Sequence, residues 1–149
     1  MKRIVVCLGI ICCFSAYGQE AVSFQEAREQ GLMKELDSLY EDGTQLEVFE
    51  NQNEYFSAWQ ELLQEFGNFL EENDFNWHEP TAVFQRVYFN EEGQIDYFLY
   101  MFRSGNLSDK KKQRFHNLLG EFIRGYRFSL NAGQKFAQCG SVQYQPSEE

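Results

Sequence analysis

The stretch Ala82-Val83-Phe84-Gln85-Arg86-Val87-Tyr88-Phe89-Asn90-Glu91-Glu92-Gly93-Gln94-Ile95-Asp96-Tyr97-Phe98-Leu99-Tyr100-Met101-Phe102 decides how this chain is read. Val83, Val87 and Phe89 alternate with Phe84, Arg86 and Tyr88, which is the period-two pattern of a strand. Asn90-Glu91-Glu92-Gly93 has turn chemistry, with Gly93 free to take a positive φ. Ile95, Tyr97, Leu99 and Met101 then alternate with Asp96, Phe98, Tyr100 and Phe102. This second strand is apolar on both faces beyond residue 97, so it should be central, or covered by helices on one side and a partner on the other.

Downstream, Ser108 is placed to cap a helix. Phe115, Leu118, Leu119, Phe122, Ile123 and Tyr126 recur at helical spacing and predict an amphipathic helix over about 109–126. Arg127 to Leu130 reads as a short extended piece, and Asn131-Ala132-Gly133 as a turn. A last strand is expected near 135–144, anchored by Phe136, Val142 and Tyr144.

Upstream, Ser23-Phe24-Gln25-Glu26 is a capping-box pattern and predicts a helix over about 24–41, weakened in its middle by Gly31. Thr44 to Glu50 reads as a short extended piece or a loop. Tyr55, Phe56, Trp59, Leu62, Leu63, Phe66, Phe69 and Leu70 predict a second helix, with Asn53 as its cap. Asp74 to Pro80 breaks it, with Trp77 turned into the core. The expected fold is α+β: two N-terminal helices, then a β-β-α-β unit whose antiparallel sheet of three or four strands packs on helices at one face.

The first residues read as an address. Met1-Lys2-Arg3 is basic, Ile4 to Phe14 is uncharged and apolar, and Ala16 and Gly18 are small residues at −3 and −1. That is the layout of a cleavable signal peptide over 1–18, and the apolar run is too short for a membrane span. It leaves a single α+β domain over 19–145, with an acidic helical part (19–80), a β-β-α-β part (81–145) and a loose tail at 146–149. The expected compartment is the periplasm or the outside of the cell.

Charge and cysteine usage narrow the function classes. The formal charge is −10, and aromatic residues make up 17% of the chain, enough to build a core. Residues 19–80 hold sixteen acidic and two basic side chains, whereas 81–149 hold seven and nine. Such a balance argues against nucleic acid, whose phosphates would repel it. Only Cys139 follows the signal region, so the mature chain cannot form an internal disulfide. A lone thiol in an oxidising compartment is buried, paired with another chain, or reactive.

The residues 88–100, reading Tyr-Phe-Asn-Glu-Glu-Gly-Gln-Ile-Asp-Tyr-Phe-Leu-Tyr, and 135–139, reading Lys-Phe-Ala-Gln-Cys, are similar to strings in small secreted proteins of Gram-negative bacteria of unknown function. Over about 82–144 the chain also resembles the C-terminal domain of TonB-type proteins. The shared marks are the Asn-x-x-Gly hairpin, the helix, the Tyr126-Arg127-Phe128 junction and Ala132. The resemblance implies the β-β-α-β layout and an envelope setting. TonB transducers keep an uncleaved anchor and a Pro-rich spacer; with two prolines and a cleavable signal, this chain is not assigned that role.

Several constellations offer candidate chemistry. Cys139 with His116 or His78 could make a thiol nucleophile and base if the fold joined them. Asp74, His78 and Glu79 could ligate a metal, but no His-x-x-x-His, Cys-x-x-Cys or calcium-loop spacing supports it. Glu71-Glu72 and Glu91-Glu92 could do acid–base work only if desolvated. Lys110, Lys111, Lys112 and Arg114 could dock an acidic partner or a phosphate-bearing surface. Asn106-Leu107-Ser108 has the form of a glycosylation sequon, relevant only in a eukaryotic secretory pathway. No catalytic, cofactor or metal assignment follows. The leading expectation is a non-enzymatic domain that binds an envelope protein or peptide through its sheet, either at Tyr97, Phe98, Tyr100 and Phe102 or by strand addition at an edge. The alternatives are a small secreted enzyme using Cys139 or a carboxylate, and a self-associating structural protein.

Overall fold

The computed structural model describes residues 18–146. The signal-peptide reading of 1–18 and most of the loose tail therefore lie outside the described residues. The elements are β1 (Glu20–Ser23), α1 (Phe24–Glu29), α2 (Leu32–Asp37), β2 (Glu41–Asp42), α3 (Gln52–Glu72), β3 (Thr81–Phe89), β4 (Ile95–Phe102), α4 (Asp109–Gly125) and β5 (Phe136–Tyr144). They form one five-stranded sheet in the order β1-β4-β3-β5-β2.

The three long strands are antiparallel neighbours, with β3 in the middle. Gly93 takes φ 80° at the hairpin, and its carbonyl accepts from Phe128 N at 2.8 Å. Register against β4 shifts between Tyr88 and Phe89, leaving Asp96 as the extra residue of a bulge. The bulge turns the Asp96 carboxylate to accept from Tyr40 Oη at 2.6 Å.

The N-terminal expectation needs correction. The chain begins with a strand, and the helix foreseen over 24–41 is two short helices. Ser23 does form the capping box with Glu26. But Gly31 stands at φ 67°, a left-handed conformation that ends one helix and starts the next. β1 then pairs parallel to β4, from Glu20 with Tyr97 to Ser23 with Tyr100. β2 pairs parallel to β5 at Phe136 and Ala137 alone. Residues 20–42 thus run as a strap from one edge of the sheet across its face to the other. The sheet is mixed rather than antiparallel, and helices cover both faces rather than one.

The face under α3 and α4 holds the larger core, including Phe66, Phe75, Phe89, Phe98, Phe115 and Phe136. Trp77 is in it, stacked on Tyr144 with ring centroids 4.6 Å apart. Asn51, not Asn53, caps α3, its Oδ1 accepting from Glu54 N at 3.3 Å. Ser108 caps α4 as its sequence foretells. The face under the strap holds a smaller core of Val22, Phe24, Ala27, Leu36, Tyr40, Tyr88, Leu99 and Ala137.

Candidate interaction edge

The four β4 aromatics do not make one surface. Phe98 is fully buried and Tyr100 is 7% exposed, both in the larger core. Phe102 is half-buried on the same side, 5.1 Å from the Phe115 ring. Tyr97 points to the other face, where it packs at the margin of the smaller core. The strand is apolar on both sides because helices cover both sides, so the expected patch is corrected to core. Met101, 40% exposed, is the β4 apolar side chain most open to solvent.

Nor does the fold join the foreseen catalytic pairs. Cys139 is exposed on β5 and has a free thiol. His116 lies on α4, its Nδ1 3.0 Å from Tyr100 Oη. Tyr100 belongs to the α3/α4 face of β4, while Cys139 pairs in register with Arg86, on the strap face of β3. The sheet separates thiol and imidazole. Glu79 accepts from Asn106 N, away from any metal grouping. Among the described residues no group of three or more His, Cys, Asp or Glu could hold a metal. Glu71, Glu72, Glu91 and Glu92 are all exposed.

The basic residues at the start of α4 are partly committed. Lys111 Nζ donates to Asn76 O and lies 5.3 Å over the Phe75 ring, and Arg114 donates to Asn73 O. With His78 and Lys110 they border a groove of about 620 Å³. Their visible task is to tie the 73–78 loop to α4.

Sequence reading missed a polar network on the strap face. Arg86 Nε donates to Tyr88 Oη at 2.9 Å, Tyr88 Oη donates to Asp37 at 2.9 Å, and Arg86 also reaches Asp37 at 2.8 Å. Burial, reinforced by the Asp37 hydrogen bond, pushes the Tyr88 phenol up to about 12. Burial likewise raises Asp96, against the pull of Tyr40 and Lys135. Nothing local in the sequence linked Asp37 or Tyr40 to strands about fifty residues away. The network has the character of a clamp holding α2 to the sheet.

The unassigned backbone lies on β5. Gly43 N donates to Ala137 O at 2.9 Å, so Ala137 directs its polar groups away from β3. By the two-residue period of a strand, Cys139, Ser141 and Gln143 direct theirs the same way. β2 stops at the partner of Ala137, and among the described residues no strand pairs with Gln138–Tyr144 on that side. The Cys139 carbonyl is taken by Gln138 Nε2 at 2.9 Å. The open stretch reads Gln-Cys-Gly-Ser-Val-Gln-Tyr: no charge, no proline, and an unbroken register with β3. Edges that must avoid pairing usually carry one of those devices.

α3 flanks this edge. Tyr55 Oη donates to Gln138, a Cβ on Gly140 would lie 3.3 Å from Trp59 Nε1, and Gly67 stands near the Tyr144 ring. The helix therefore runs along β5. Its Phe66 and Phe69 meet Phe122 of α4 at 5.0 and 5.6 Å, and α4 packs over β1 and β4. The opposite flank, with Phe56, Gln60, Leu63 and Gly67 at helical spacing, borders the open edge. Phe56 is 45% exposed there. Sequence periodicity recorded Phe56 and Leu63 as core; only the strand order shows that they border an edge.

Compared with protein-family models, with curated proteins and with solved structures, the chain matches none. No helix among the described residues is long and apolar enough to cross a membrane.

Proposed function

We propose that this chain is an exported, non-enzymatic interaction domain that binds an extended segment of a protein or peptide through the open edge of β5. The observation that carries the reading is the uncharged run Gln138–Tyr144, whose outer side no strand among the described residues pairs; its outward backbone groups, with the Cys139 carbonyl shared with Gln138 Nε2, form a template for one more strand. Main-chain hydrogen bonds would supply much of the affinity. The α3 flank would sort the incoming side chains on one face, and Cys139 and Ser141 on the other. Cys139 and His116 lie on opposite faces of the sheet and make no thiol–imidazole couple. The order β3-β4-α4-β5 supports the TonB-like reading of 82–144 as a proposal of fold kinship alone.

Ser141→Pro tests the edge. Its N–H points outward and bonds to no strand among the described residues, so proline there removes a docking donor and spares the ladder to β3. The exported protein is immobilised and exposed to envelope and secreted fractions. A saturable partner retained by the wild type, lost with Ser141→Pro and kept with Tyr97→Glu is the expected result. A partner that binds Ser141→Pro equally well would overturn the edge as the binding element.

A further inference from the structure

We infer that the strand the β5 edge accepts is β5 of a second copy of this chain, giving a two-fold dimer in which β1, β4, β3 and β5 of each copy join into one eight-stranded run with each β2 beside the seam. This rests on reading β5 as a pairing edge and adds the identity of the partner.

The first argument is charge. Two copies of a chain with formal charge −10 repel, and can meet only where the charge is absent. α3 carries Glu54, Glu61, Glu65, Glu71 and Glu72. Yet the flank beside the edge, from Gln52 through Phe56, Gln60 and Leu63 to Gly67, carries none, and neither does β5. Edge strand and helix flank together form an uncharged strip on an acidic molecule.

The second argument is symmetry. Ser141 is the midpoint of the open run Gln138–Tyr144. A two-fold axis through it pairs Ser141 with Ser141 and Cys139 with Gln143 of the other copy, all with outward-directed backbone groups. In this register Tyr144, the last residue of β5, faces Gln138, one residue short of the Ala137 that β2 pairs. The same axis sets the two α3 helices antiparallel on one face of the joined sheet. The flanks of the two helices then face each other across the seam between the paired β5 strands. α3 runs along β5 with Trp59 at Gly140 and Gly67 at Tyr144. The axis therefore brings the exposed Phe56 of one copy beside Gly67 of the other, with Leu63 near the centre. An apolar ring meets a residue with no side chain, once on each side.

Sedimentation of the exported protein over a concentration series tests this. The wild type should have the mass of two chains. Ser141→Pro and Phe56→Glu should each sediment as one chain with an unchanged circular dichroism spectrum. Met101→Glu, on the other face, should stay dimeric. In the dimer the Ser141 and Gln143 amides should be protected from exchange, and dilution should release them together. A wild type of one-chain mass across the series overturns the inference; if the captured partner is still lost with Ser141→Pro, the edge reading survives with a different partner. A dimer that persists in both Ser141→Pro and Phe56→Glu also overturns it, because the contact then lies elsewhere.

Discussion

The strap of residues 20–42 and the body formed by α3, β3, β4, α4 and β5 hold the same sheet by different means. The body does so with interlocked rings: Phe66 alone lies 6.1, 5.6 and 5.0 Å from Phe98, Phe115 and Phe122. The strap has two helices of six residues each, too short to persist without tertiary support, and a small apolar cluster. It adds a polar clamp of Tyr40 on Asp96 and of Tyr88 and Arg86 on Asp37. It also finishes the two edges unequally. β1 is short, carries Glu20, turns into α1 at once, and is tied to α4 by Gln19 Nε2 donating to Ile123 O at 2.8 Å. β2 covers two residues of β5 and leaves the rest open. A thin strap covers one face, ends one side of the sheet in a four-residue strand, and leaves most of β5 on the other side without a strand partner among the described residues.

The largest effect should come from the body. Phe66→Ala empties a fully buried ring site shared by α3, β4 and α4, and should cost about 3–5 kcal/mol in urea unfolding. Leu36→Ala, under the strap, removes a side chain that is 3% exposed from the smaller cluster and should cost about 2–3 kcal/mol, at the low end of such losses. Native-state hydrogen exchange should show strap amides opening at lower free energy than Val87 in the middle strand. Equal costs and a single opening free energy for both regions would erase the distinction.

The same division governed what the sequence could reveal. β3, β4, α4 and β5 were legible because each is long and periodic, and because Gly93 and Ser108 mark their turns and caps. The strap was not. Phe24 to Tyr40 keeps a helical apolar pattern across Gly31, so the left-handed break looked like a weak point within one helix. β1 is four residues long and pairs in parallel with a strand more than seventy residues away, which no local pattern encodes. The site suffered from the same blindness. Tyr97 to Phe102 looked like a surface because a doubly apolar strand is ambiguous between exposure and double cover. The open edge of β5 is a property of where β2 stops, and its sequence gives only the absence of charge.

A middle-sized effect should come from the clamp. Tyr88→Phe keeps the buried ring and removes the hydroxyl that links Arg86 to Asp37, at a cost of about 1 kcal/mol. It should also change the alkaline limb. The Tyr88 and Tyr100 phenols are both held up to about 12, chiefly by burial, against about 10 in an unfolded chain. A raised pKa means that the folded state keeps protons the unfolded state has lost. Their contribution is therefore complete below pH 10 and disappears as pH rises toward 12. Tyrosinate absorbance should lag a free-tyrosine titration and then rise cooperatively with unfolding. Tyr88→Phe should make stability fall less steeply over that window, and an unchanged slope would remove Tyr88 from the account.

The smallest effects should come from the strap's local geometry. Gly31→Ala meets no atom within 4 Å, so its cost is backbone alone: about 1 kcal/mol for holding an alanine at φ 67°. Ser23→Ala removes the acceptor for Glu26 N, and the partner through which Glu26 is held below the usual carboxylate range, for about 1 kcal/mol. The sign with pH follows from that lowered pKa. The Ser23–Glu26 contribution is present above the unfolded carboxyl range and is lost as acid protonates Glu26. The gap between wild type and Ser23→Ala should therefore narrow toward low pH, leaving the part due to Glu26 N donating to Ser23 Oγ, which acid does not remove. Because β1 ends where the box begins, loosening it should speed exchange at Val22 before any change at Val87. Simultaneous loss at both positions would mean that the strap and the body unfold as one unit, and that the β1 edge is as firmly held as the middle strand.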